Sequence, residues 1–253
     1  MSEETKKRGL KPVYIEAFDL DDAWFQCLAK ILEEGYVYKI DRGSYVSQRR
    51  LEFDFITLRV KNPAHQIIPV MPEGLSIPAP TSMEYINQYL QYLLTSTKTE
   101  TEDYTYGERL VDPKVKIETE IDGKKMIKEM PLKCNQVEEV IKIYKKDGFG
   151  TNQAIMEIGM PSDLKLTDPP CLRLIDTRVR YGKLHFFLYF RSWDLWGGFP
   201  SNLGGLELVK QYMAAEIGVE NGEIVACSKG LHLYEYAWDL AKQRTHKLDL
   251  DIK

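Results

Sequence analysis

The chain lacks an apolar run able to cross a membrane: its longest, Leu184 to Phe190, holds His185 and falls far short of the roughly 20 residues a span needs. It lacks an apolar segment behind the charged stretch Glu3 to Arg8, so nothing reads as a signal peptide, and a cytoplasmic location is expected. It lacks a CxxC pair. The four cysteines at 27, 134, 171 and 227 stand apart, which argues against a zinc knuckle and a disulfide framework, and no metal is expected. It also lacks a basic excess: 34 Lys plus Arg against 38 Asp plus Glu give a net charge of −4, with no global field for nucleic acid or acidic lipid. Neither is expected as a partner, and an anionic ligand must meet local arginines. Repeats, low-complexity tracts and linkers are absent as well, so residues 1–253 read as a single α/β (α+β) domain.

What is present is ordinary globular patterning, with 43% hydrophobic and 28% charged residues. Asp19-Leu-Asp-Asp precedes Trp24, Cys27, Leu28, Ile31 and Leu32 at helical spacing, with Gly35 as a left-handed stop. Leu51, Phe53 and Phe55 alternate with Glu52 and Asp54 as a strand running toward Arg59. Five prolines between Asn62 and Pro80 predict a loop, and Ser82 then caps a helix to about Leu94. Val111 to Met130 reads as an exposed hairpin turning at Asp122-Gly123, and Asn135 to Lys146 as a helix closed by Gly148. A strand Ala154 to Met160 follows, then a hairpin of Cys171–Arg180 and Lys183–Arg191 turning at Tyr181-Gly182. Asn202 is expected to cap a helix reaching Ile217, and a strand from Ile224 to lead on to His232.

Among the cysteines, 27, 134 and 227 lie in or beside apolar stretches and read as small buried hydrophobes. Cys171 differs because Asp168-Pro169-Pro170 fixes its entry into a strand. A free thiol of pKa about 8.5 needs a nearby cation to act as a nucleophile at neutral pH. Arg180, Lys183 and Arg191 are the candidates, with the register left open by the sequence. The segment Arg191 to Asn202 packs a cation, an anion, two indoles and two glycines into 12 residues.

Taken together, Pro170-Cys171, Arg191-Ser192-x-Asp194, Pro200-x-Asn202 and His232-x-Tyr234 resemble the catalytic half of the thymidylate synthase family, with spacings that match without a gap. Tyr106-Gly107 resembles its Tyr-Gly pair, and Asp41-Arg42-Gly43 a shortened Asp-Arg-Thr-Gly loop. The resemblance covers roughly residues 36 to 240, concentrates in 168–238, and is nearest to short archaeal members. It implies a mixed sheet with flanking helices and a homodimer.

The resemblance also assigns roles. Cys171 adds to C6 of dUMP, so that C5 takes a one-carbon unit and dTMP results. Arg191, Ser192 and Arg42 bind phosphate, Asn202 reads O4 and N3 of uracil, and His232 with Tyr234 holds the sugar 3′-hydroxyl. Asp194 receives the pterin, and Tyr106 joins the network that moves the C5 proton. The implied cosubstrate is 5,10-methylenetetrahydrofolate or a methanopterin-type analogue. Viral cytidylate hydroxymethylases carry aspartate where Asn202 stands, which favours dUMP. There are departures. Two arginines of the family are replaced by Thr151-Asn152-Gln153-Ala154, which throws weight on Arg42, Arg49 or Arg50; Leu172 and Phe190 replace a histidine and a glutamine. The family's catalytic glutamate has no recognisable counterpart, Glu73 and Glu84 being candidates that also read as surface residues. A short tail after Tyr234 keeps a pyrimidine nucleotide 5-hydroxymethylase as the alternative, with a non-catalytic nucleotide-binding relative as a third reading.

Overall fold

The computed structural model describes residues 9–41, 45–74, 76–121 and 124–252. Arg42 and Gly43, and the Asp122-Gly123 turn, therefore lie outside the described residues. Helix α1, Leu20–Glu34, starts where Asp19 accepts from the Asp22 N–H and buries Trp24, Cys27, Leu28, Ile31 and Leu32, as the spacing predicts. Gly35 is not left-handed; its φ is −64°. Glycine stands there because a Cβ would lie 2.5 Å from the Ile31 carbonyl oxygen.

Strand β1 is Pro12–Ala17, β2 Tyr36–Lys39, β3 Arg49–Glu52 and β4 Phe55–Val60. The single strand expected from Leu51 to Arg59 is thus two strands in different sheets. Between them Phe53 N–H donates to the Leu231 carbonyl, and Asp54 accepts from the Lys11 N–H at 2.9 Å. The buried phase moves from Leu51 and Phe53 to Ile56, Leu58 and Val60. Residues 62–80 form no helix or strand among those described, and α2, Met83–Leu93, is capped by Ser82. Helix α3, Tyr106–Val111, was not foreseen. It packs so closely on α2 that a Cβ on Gly107 would sit 2.0 Å from the Tyr92 carbonyl oxygen.

Strands β5, Lys114–Ile121, and β6, Lys124–Pro131, pair antiparallel, and α4, Gln136–Asp147, is capped by Asn135. Strand β7 is only Ile155–Glu157, shorter than expected. The hairpin of β8, Leu172–Arg180, and β9, Lys183–Phe190, turns at Tyr181-Gly182, both with positive φ. Then come β10, Trp193–Asp194; α5, Gly198–Ile217; β11, Glu220–Ser228; β12, Leu231–Tyr234; and α6, Trp238–Arg244. The one strand expected from Ile224 to His232 is again two.

The main sheet has order β1-β4-β11-β9-β8-β7, and a four-stranded sheet has order β10-β12-β3-β2. Helix α5 packs on β9 and β11 and against α1, α2 and α4, burying Phe199, Leu203, Leu206, Val209 and Met213. Burying such side chains contributes about 1.5–3 kcal/mol each. This mixed α/β architecture matches the fold the resemblance implies. No helix among the described residues is long and apolar enough to cross a membrane.

Candidate active site

The hairpin register, open in the sequence, sets Arg191 against Cys171: the Arg191 N–H donates to the Cys171 carbonyl at 2.8 Å. Arg180 and Lys183 pair with each other at the far end, so neither serves the thiol. The Arg191 side chain folds back over the rigid segment that delivers Cys171. Its Nε donates to the Pro169 and Pro170 carbonyls at 3.1 and 3.2 Å, and its Nη2 to Asp168 at 2.9 Å. Burial pushes the Cys171 thiol up; Arg191 opposes this, Asp168 adds to it, and Arg173 and Arg50 pull the thiol down. By contrast Cys27 is fully buried in the core, with its thiol driven far upward by burial.

The four-stranded sheet lies across from this hairpin. Asp194 of β10 pairs with His232 of β12, His232 with Glu52 of β3, and Tyr234 with Arg50. Directly opposed residues share a sheet face, so one face carries all of these polar groups. Together with Cys171, Arg191, Ser192, Asp168, Thr167, Ile40 and Tyr45, Asp194, His232, Tyr234 and Arg50 line a cleft of about 460 Å³.

His232 is buried, and burial first, then Arg50, lowers its pKa to about 3. Its Nδ1 lies 2.9 Å from the Gly230 carbonyl, an acceptor, which makes Nδ1 the protonated nitrogen and Nε2 the acceptor. That Nε2 is buried without a hydrogen-bond partner. Burial raises the Tyr234 hydroxyl to about 12, with Arg50 opposing.

Two expected residues are placed differently. Asp194 already works as a cap: its carboxylate accepts from the N–H groups of Trp196, Gly197 and Gly198 at 3.2, 3.1 and 3.0 Å. This is why α5 starts at Gly198, and Asn202 is inside the helix rather than its N-cap. Asn202 lines a neighbouring groove with Gly197, Gly198, Ser201 and Tyr89 rather than the Cys171 cleft. Its Oδ1 accepts from Trp193 Nε1 at 3.1 Å, so its Nδ2 faces the Tyr89 hydroxyl at 2.9 Å. Since each half of the amide has a second position, one lone pair and one N–H remain for a ligand.

Tyr106 accepts from the Leu172 N–H at 3.1 Å, beside the nucleophile, and burial and then Cys171 push its hydroxyl upward. It also lines a second cleft of about 640 Å³ with Tyr85, Tyr89, Tyr92 and Tyr104, which shares Asp168 with the first. Tyr85, Tyr89 and Tyr92 stack in series along α2, with centroids 6.3 and 5.6 Å apart. Their 85, 89, 92 spacing is the helical stripe that the sequence carried and that sequence reasoning missed. Glu73 and Glu84 are exposed and line neither cleft.

The thymidylate synthase family profile matches residues 91–250, which contain Tyr106, Cys171, Arg191, Ser192, Asp194, Asn202, His232 and Tyr234. Three archaeal proteins, each provisionally named a thymidylate synthase, resemble the chain over most of its length. The Methanosarcina mazei protein is 30% identical over 90% of this chain and 92% of its own; that of Methanosarcina acetivorans is 29% identical over the same shares. The Methanothermobacter thermautotrophicus protein is 26% identical over 90% of this chain and 96% of its own. The cysteine, arginine and histidine cleft thus sits in a chain that belongs to the thymidylate synthase family.

Proposed function

We propose that the protein is a cytoplasmic thymidylate synthase, transferring a one-carbon unit from a methylene-tetrahydropterin to C5 of dUMP to give dTMP. The observation that carries the reading is the convergence of Cys171, Arg191, Ser192, His232 and Tyr234 on one cleft. The Cys171 thiolate adds to C6 of the uracil, which makes C5 a nucleophile and divides one hard step into easier ones. Burial works against ionisation of Cys171, and the Arg191 guanidinium favours it, so one cation serves both the thiolate and the phosphate.

The neutral His232, held by Gly230, presents Nε2 as an acceptor for the sugar 3′-hydroxyl, with Tyr234 beside it. Asn202, its carbonyl end fixed by Trp193, keeps one N–H and one lone pair for O4 and N3 of the base. Tyr106, accepting from the Leu172 N–H, retains its own hydroxyl proton for the network around C5.

When bound, the pterin carrier would supply both the methylene unit and the hydride that reduces it to the methyl group of dTMP. The tyrosine-lined cleft that meets the Cys171 cleft at Asp168 has the aromatic lining and room for it. Asp194 is the polar group for its N–H atoms, though three backbone bonds already draw on that carboxylate. The chain acts as a homodimer through the face of the main sheet opposite α5, where Tyr14, Ile155 and Phe187 are exposed.

Incubation with dUMP and the two methylene carriers, folate and methanopterin types in turn, tests the reading by product mass. Addition of a methyl group to dUMP is expected. A hydroxymethyl product, or turnover of CMP or dCMP in place of dUMP, overturns it.

A further inference from the structure

The cations lining the Cys171 cleft among the described residues are Arg191 and Arg50. Arg191 commits Nε and Nη2 to the Pro169 and Pro170 carbonyls and to Asp168, so a phosphate dianion meets a guanidinium already partly engaged. A second cation is needed to balance the charge. The adjacent arginines of β3 point to opposite faces. Arg49 turns outward, where it pairs with Glu235 and lies 5.2 Å over the Trp238 ring. Arg50 faces the cleft, between Tyr234 of β12 and Tyr38 of β2 in the register.

The Arg50 guanidinium is held in place before any ligand arrives. It lies 4.9 Å over the Tyr38 ring and pairs with Glu52, which accepts from the Tyr36 hydroxyl at 2.9 Å. Its Nε is buried with no hydrogen-bond partner. A buried, unused charged donor at a cleft wall is a group whose partner comes with the ligand. We propose that Arg50 is a further phosphate-binding cation of this cleft, gripping the phosphate of a nucleoside monophosphate together with Arg191 and Ser192. The proposal rests on reading the cleft as a nucleotide site. It places the phosphate where the guanidinium of β3 and that of the hairpin converge, on the same chain as the nucleophile.

Removing Arg50 alone leaves the buried Glu52 carboxylate without its cation and endangers the fold. The test therefore pairs Arg50→Gln with the double variant Arg50→Gln/Glu52→Gln, whose melting temperature verifies that it is folded. Each full-length protein is titrated calorimetrically with dUMP, deoxyuridine and inorganic phosphate. The folded double variant is expected to bind dUMP and phosphate at least about tenfold more weakly than wild type, with deoxyuridine unchanged. Binding of dUMP or phosphate within about twofold of wild type overturns the assignment, as does an equal loss for deoxyuridine. If wild type binds phosphate but not dUMP, the functional reading fails while the Arg50 assignment is judged on phosphate alone. A wild type that binds neither overturns both.

Discussion

On β9 of the main sheet the buried positions Leu184, Phe186, Leu188 and Phe190 are all apolar, whereas in the four-stranded sheet β3 buries Leu51 beside Glu52 and β12 buries His232 between Leu231 and Leu233. The long strands put one face on α5 and bury it completely. The short strands give one face to the core and the other to Asp194, His232, Tyr234, Arg50 and Glu52. Both Arg50 Nε and His232 Nε2, buried and unpartnered, lie on that second face. Arg178 Nε of β8 and Asn221 Oδ1 of β11 are buried without partners on the main sheet as well, so what sets the four-stranded sheet apart is that Arg50 and His232 line the Cys171 cleft.

Changes on the two sheets should separate accordingly. The largest effect is on chemistry. Cys171→Ser is expected to abolish dTMP formation while leaving the unfolding midpoint near wild type, because a serine hydroxyl is scarcely ionised at neutral pH. Retained turnover moves the nucleophile elsewhere. Asn202→Asp comes next: an uncharged carboxyl accepts from the 4-amino group of cytosine and donates to N3, so the preference for dUMP over dCMP should fall by up to about 10⁴-fold. Competitive turnover of the two nucleotides measures it, and an unchanged ratio removes Asn202 from base selection.

Phe186→Ala, in the main sheet, is expected to cost about 3–5 kcal/mol in urea unfolding without altering the dUMP to dCMP ratio of the folded enzyme. A changed ratio would break the division between the sheets. The last effect, that of His232 on stability, is confined to acid pH. Its folded pKa of about 3 lies below the usual value of 6.5, so the unfolded chain takes the proton first. The stability this gives is complete above about pH 6.5 and is lost as pH falls toward about 3, so His232→Gln should flatten the decline of unfolding free energy in that window. Parallel curves for the two proteins would place the acid sensitivity elsewhere.

The sequence carried the elements with strong local signals: α1 with its Asp19 cap, α4 with its Asn135 cap, and the hairpin turning at Tyr181-Gly182. It did not carry the break at Phe53-Asp54, because alternation continues through Phe55 while the chain leaves one sheet for another, and only a tertiary bond to Leu231 marks the exit. Helix α3 is too short for periodicity, although the Thr105-x-x-Glu108 spacing is a capping signal; Thr105 does accept from the Glu108 N–H. The start of α5 was misread because asparagine is a favoured N-cap, whereas the capping carboxylate comes from Asp194 outside the helix. At the candidate site, the family resemblance singled out Cys171, Arg191, Ser192, His232 and Tyr234, which the fold brings to one cleft. The choice of Arg50 over Arg49 was not readable, since it depends on which face of β3 meets β12 and the cleft. Arg42 lies outside the described residues.

The most direct test of the Cys171 cleft as the seat of covalent nucleotide chemistry is intact-protein mass spectrometry after incubation with 5-fluoro-dUMP and a methylene-tetrahydropterin, followed by peptide mapping. The account predicts a stable adduct of one nucleotide and one carrier per chain, on the peptide containing Cys171 and absent from Cys171→Ser. An unmodified protein, or an adduct that maps to Cys27, Cys134 or Cys227, would contradict it.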